Sequence, residues 1–175
     1  MRRFLDALYT ASGALAGLFL VLIGVLVLFE IVGRELRFAA YSFDEFAGYC
    51  MAASSFLALA HTFRHNEHIR VSLLIEKAGP RARKVLEILC LGVAALLVGY
   101  FAVFSCHMVY YSWRFHEVSQ GLAPIPLWIP QTGMALGLVV MTIALLDDLA
   151  ALLRGADTAY RRAEKAKTMP VTENL

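Results

Sequence analysis

Residues 42–74 read SFDEFAGYCMAASSFLALAHTFRHNEHIRVSLL, and the reading of this stretch decides the fold. Two acids, Asp44 and Glu45, open it, and eighteen residues without a formal charge follow, Phe46 to Phe63. A basic, histidine-rich cluster, Arg64 to Arg70, closes the far end. Eighteen residues at a helical rise of about 1.5 Å reach roughly 27 Å, close to the thickness of a bilayer's hydrocarbon core. The stretch predicts a transmembrane helix with an acidic mouth and a basic one.

Composition extends that reading outward. The chain has 175 residues, 59% of them hydrophobic and 17% charged, with a mean hydropathy of +0.64. A soluble domain carries about 45–50% apolar and 25% charged residues. The apolar excess is gathered into four blocks, which points to lipid as the solvent. The net charge of +2 gives no reason to expect a nucleic-acid partner. Cys50, Cys90 and Cys106 all fall inside apolar blocks. An odd number at that depth makes no disulfide framework, and they read as small packing residues.

The predicted spans are residues 14–34, 45–64, 85–111 and 127–147, forming one four-helix transmembrane domain over 1–153 with a polar tail over 154–175. The first block has no small-residue cleavage site after it, so it reads as an uncleaved helix, not a signal peptide. Glu30 and Arg34 stand i,i+4 at its end and can pair on one face near the head groups. Between the second and third spans, Ile69, Val71, Leu73 and Leu74 are crowded among charges, which predicts an interfacial segment ending around Gly79-Pro80. The third span with its polar ends could run from Arg83 to Trp113, with Tyr110, Tyr111 and Trp113 as an aromatic belt. Gly121, Pro124 and Pro126 break the loop after it. Pro130 falls in the first turn of the fourth helix, where a missing N–H costs least.

All 16 Lys and Arg lie outside the four cores, and their distribution sets an orientation. The N-terminus, the second loop and the tail hold all but Arg34, Arg37 and Arg114. The positive-inside rule therefore places both termini and the second loop in the cytoplasm. The expected fold class is an all-α membrane protein with four transmembrane helices, N-in and C-in.

No constellation of residues reads as an active site. There is no G-x-S-x-G, P-loop, H-E-x-x-H or C-x-x-C. His61, His65 and His68 could share one helical face, but metal binding needs that helix to continue past Phe63; the plainer reading is polar residues at the water boundary. A haem between His61 and His107 is disfavoured, because the topology puts them at opposite ends of their helices, on the order of 20 Å apart in depth. No cofactor or metal is expected. Small residues at helical spacing are plentiful: Gly13 and Gly17, Gly133 and Gly137, the stripe Gly48, Ala52 and Ser55, and the stripe Gly92, Ala95 and Gly99. Such faces let helices approach closely and predict assembly, internal or with a partner. Midplane charges and broken half-helices, the marks of a substrate path, are absent.

These residues resemble the small membrane subunit, DctQ type, of the tripartite ATP-independent periplasmic (TRAP) transporters, over about residues 14 to 150. The second helix is entered by Phe43-Asp44-Glu45 and crossed by Ala52-Ala53-Ser54-Ser55. Arg64 then precedes His68-Ile69-Arg70-Val71-Ser72, similar to the family's basic residue and H-I-x-V-D. The fourth helix is entered by Ile125-Pro126-Leu127-Trp128-Ile129-Pro130, which looks like the family's proline–tryptophan entry. Phe43 stands where the family often has tryptophan, and Ser72 where aspartate is usual. The second departure puts in doubt any salt bridge or cap made by that acid.

The resemblance implies a scaffold or accessory subunit, not an enzyme. Its implied partners are a large multi-span membrane subunit, a periplasmic substrate-binding protein and the lipid bilayer. The cargo would be an organic acid, with sodium coupling in the large subunit, and the location a bacterial inner membrane. Because the chain stops at Leu175 without a second multi-span region, the large subunit is expected as a separate chain. Residues expected to serve the interface or the anchoring are Glu30, Arg34, Arg37, Asp44 and Glu45 at one rim and Arg64, His68 and Arg70 at the other. Trp113, Pro126, Trp128, Pro130 and the small residues Gly48, Ala52, Ser55, Gly133 and Gly137 complete the set. The competing classes are a redox membrane anchor binding haem or quinone, and a self-associating four-helix membrane protein.

Overall fold

The computed structural model describes residues 2–36, 43–64, 80–121 and 123–154, and the side chains of 2–4, 64 and 80–83 are excluded from that description. Arg37, His65, His68, Arg70, Ser72, the interfacial segment over 65–79 and the tail from 155 lie outside the described residues. Among the described residues the chain forms four helices: α1 (Arg2–Glu35), α2 (Phe43–Arg64), α3 (Pro80–Arg114) and α4 (Trp128–Leu153). Each contains a stretch long and apolar enough to cross a membrane. Among the described residues there are no strands, only an isolated bridge between Val118 and Pro126.

Two helices are longer than the sequence blocks predict. α1 begins at Arg2, not near Ala14, because Leu5, Leu8, Tyr9 and Ser12 continue its inward stripe at helical spacing and pack into the fold. α4 runs on through Asp147 and Asp148 to Leu153. The charge pair does not end it, since Asp148 lies on the same buried stripe as Ala144, Leu145 and Leu152 and is only 2% exposed. α3 spans 35 residues, about 52 Å at the usual helical rise, so it tilts or protrudes in a bilayer.

The helices form an open row. α1 packs on α2, α2 on α4, and α4 on α3, while α1 barely reaches α4. The pairs α1–α3 and α2–α3 make no comparable contact. α2 and α4 are therefore the inner helices, with 33% and 39% of their apolar windows buried, and α1 and α3 the edges, with 6% and 22%. α1 runs antiparallel to α2: Ser12 donates to the carbonyl of Leu57, and Ser54 donates to the carbonyl of Ala16 at 2.9 Å. Both serines are buried, so each hydroxyl satisfies itself across a helix pair where no water is available.

The α2–α4 contact is parallel and uses glycine. A Cβ on Gly133 would stand 2.8 Å from Ala53 Cβ, and one on Gly137 would meet the Phe56 carbonyl oxygen at 2.5 Å. Only a residue without a side chain lets the backbones come this close. At the end where α1 starts and α4 finishes, all four helices contribute to one core: Tyr9, Ala60, Phe63, Leu91, Ala144 and Leu145 are among its members.

At the opposite end α3 closes in a Schellman motif. His116 adopts a positive φ of 53°, with Glu117 N–H donating to Ser112 O at 3.0 Å and His116 N–H to Trp113 O at 3.4 Å. The chain then folds back on itself. Ser119 N–H donates to Ile125 O at 2.8 Å and Leu127 N–H to Glu117 O at 3.0 Å, so the two prolines sit in a clasped loop leading into α4.

Gly137→Val is expected to force α2 and α4 apart and cost about 1–3 kcal/mol. Gly17→Ala, whose Cβ would meet nothing within 4 Å, is expected to be neutral or slightly stabilising. Thermal unfolding midpoints of the two variants in the same detergent check the contrast, and an equal response from both would refute it.

Candidate functional site

The most organised polar group lies at the loop end, where α2 begins. Glu45 is in the first turn of α2, a position at which a carboxylate favours the helix dipole. Its carboxylate accepts from the Ser119 hydroxyl and, at 2.5 Å, from the Tyr49 hydroxyl one turn along the helix. Tyr49 Oη also lies 3.1 Å from Ser119 Oγ, and Gly121 N–H donates to Ser119 Oγ at 3.0 Å. A Cβ on Gly121 would strike the Glu45 carboxylate, so a side chain here would displace that carboxylate from its present position. Ser119 is buried, and the clasped loop described above holds it there.

This arrangement ties α2 to the α3–α4 loop across 74 positions of sequence. Charge-assisted hydrogen bonds of this kind are stronger than neutral ones. Among the described residues Ser119 and Tyr49 are the side chains bonded to Glu45, and the chemistry of the group is that of a brace. Sequence reading found Glu45 and missed Tyr49, Ser119 and Gly121. The available signal was Tyr49 at i+4 from Glu45, on the same helix face; nothing local marks Ser119.

The other expected residues fall in several places. Glu30 and Arg34 form the expected i,i+4 ion pair near the end of α1. Asp44 is exposed beside the brace. Gly133 and Gly137 are consumed by the contact with α2, whereas Gly48 and Ser55 face outward and Ala52 is half-buried. Trp113 is 55% exposed and Trp128 38%, at the end of α3 and the start of α4. Pro126 forms the bridge to Val118, and Pro130 sits in the first turn of α4. Arg64 is the last residue of α2. Of the cysteines only Cys50 is buried; Cys90 and Cys106 are exposed on α3, so packing inside the fold does not account for them.

The described histidines do not face one another. His61 packs against α1, with Nδ1 3.3 Å from the Tyr9 carbonyl and its ring filling the space over Gly13. His107 lies on the outward side of α3, a helix that α2 does not pack against. Among the described residues no group of three His, Cys, Asp or Glu is placed to hold a metal ion.

Four helices long and apolar enough to cross a bilayer mark an integral membrane protein. The family model for the DctQ component of the tripartite ATP-independent periplasmic transporters matches residues 23–155, well over half of the chain. The chain belongs to that family and is a transporter subunit, not an enzyme. No curated protein and no solved structure matches it.

Removal of the brace gives a second prediction. Glu45→Ala and Ser119→Ala should each lower the midpoint of unfolding. The double variant should lose less than the sum, because either change alone breaks the bond. Midpoints of unfolding for the three variants and the parent complete the cycle; strict additivity would show that the two side chains do not interact.

Proposed function

We propose that this chain is the bracing subunit of a sodium-coupled, binding-protein-dependent importer of an organic acid in a bacterial inner membrane. The family match is the single observation that carries this reading, and the open row of helices agrees with it. α1 and α3 expose their outer faces along most of their length, which leaves room for a partner at either edge. A large multi-span subunit is the partner, and a periplasmic binding protein delivers the substrate to the pair.

Both termini face the cytoplasm in this reading, supported by the excess of Lys and Arg in the N-terminus, the second loop and the tail. The Glu45 brace then lies at the periplasmic rim, under the position where a binding protein docks. Arg64, His68 and Arg70 anchor the cytoplasmic rim. Substrate and sodium are handled on the other components, since the described helices carry no broken segment and no midplane charge.

Tagged chain taken from native membranes in mild detergent should bring down a roughly stoichiometric multi-span protein. Recovery of the chain alone, or with redox subunits, would count against the assignment. A phosphatase fused after Leu175 should be inactive and one inserted at Ala39 active; the reverse pattern would invert the orientation. Arg64→Ala with His68→Ala should weaken co-purification and uptake together, and no change in either would remove those residues from the interface.

A further inference from the structure

The two edge helices expose faces of different chemistry. On α1 the exposed side is mainly aliphatic: Leu18, Leu20, Val21, Leu28, Ile31 and Val32 are each half or more exposed, with Phe29 an exposed aromatic among them. Acyl chains satisfy such a surface fully. On α3 exposed aliphatics such as Leu89, Leu96 and Val103 are joined by an aromatic ladder along one line, Tyr100, Phe104, His107, Tyr111 and Phe115. Its ring centroids stand 4.5 Å, 6.5 Å, 6.2 Å and 6.0 Å apart in that order.

A belt at the water boundary accounts for Tyr110, Tyr111 and Trp113, close to Arg114. It does not account for Tyr100. That residue is 57% exposed and sits thirteen positions from Glu87 and fourteen from Arg114, about 20 Å along the axis from either charge. Its hydroxyl makes no hydrogen bond among the described residues. His107 is likewise exposed, about 10 Å from Arg114 on the same face. Hydroxyl and imidazole groups aimed into hydrocarbon find no partner there, at a cost that protein partners avoid.

We infer that the aromatic face of α3 is the surface that receives a transmembrane helix of the large subunit, and that α1 faces lipid. The inference rests on the function proposed above. A second copy of this chain is a poor occupant, since the ladder carries no small residue and two ladders would meet ring on ring. Close helix pairing in membranes relies on small residues. An open groove of about 420 Å³ between Phe104, His107, Met108 and Tyr111 instead suits a partner helix with a small-residue face and a hydrogen-bonding group opposite Tyr100 or His107.

Photo-cross-linking in membranes that contain the complete transporter tests this. A benzoylphenylalanine at Phe104 or Tyr111 should give an adduct with the large subunit, and one at Leu18 or Leu28 should give none. Tyr100→Phe, which removes only the hydroxyl, should weaken retention of the large subunit in detergent by roughly threefold to tenfold. Adducts from α1 but not α3, adducts of α3 with a second copy, or α3 adducts with lipid alone would each overturn the inference while co-purification leaves the bracing role standing. If the large subunit neither cross-links anywhere nor co-purifies, the bracing role itself fails and this inference with it.

Discussion

The approach of α2 to α4 is the constraint on which the rest of the structure depends. In a bilayer the hydrophobic effect does not press helices together, because lipid tails are as apolar as leucine. Contact must come from close packing and internal hydrogen bonds. Gly133 and Gly137 bring α4 onto the backbone of α2 at Ala53 and Phe56, and this contact fixes the central pair. α1 then hangs on the opposite side of α2 through Ser12 and Ser54, and α3 hangs on α4. The Glu45 brace secures the loop end of the pair against the chain that enters α4.

The row has a physical reason for staying open. A soluble four-helix chain would close to remove apolar surface from water at about 25 cal/mol per Å². Here the exposed leucines and valines of α1 leave one apolar environment for another on folding, so closure gains little. What determines the arrangement is where small residues and buried hydroxyls are spent. They are spent on α1–α2 and α2–α4, and the edges are left to the surroundings.

The class of fold was legible in the sequence because it depends on blocks of charge-free residues, which lipid enforces. The Glu30–Arg34 pair and the placement of Pro130 were legible too, since both depend on spacing within one helix. The order of helices was not. Gly13 and Gly17 form the same G-x-x-x-G as Gly133 and Gly137, yet Gly13 receives the His61 ring while Gly17 faces open space. The motif says that a helix can be approached and is silent on what approaches it. The fourth span as predicted stops at residue 147, while α4 runs on to Leu153, with Asp148 in register with buried Ala144 and Leu152. Ser119 is bonded to a residue 74 positions away, which no local pattern records.

The same logic separates the two edges. Lipid imposes only apolarity on a helix face, and any aliphatic mixture satisfies it, as on α1. A protein neighbour imposes shape and hydrogen bonding, which show as aromatic surface and as polar groups at depths where lipid offers no partner. Tyr100 has both properties. Its ring lies against Phe104, with centroids 4.5 Å apart, and its hydroxyl is the polar group that a protein neighbour would match. In the proposed bracing role, a helix edge that carries such a requirement is where the partner would attach.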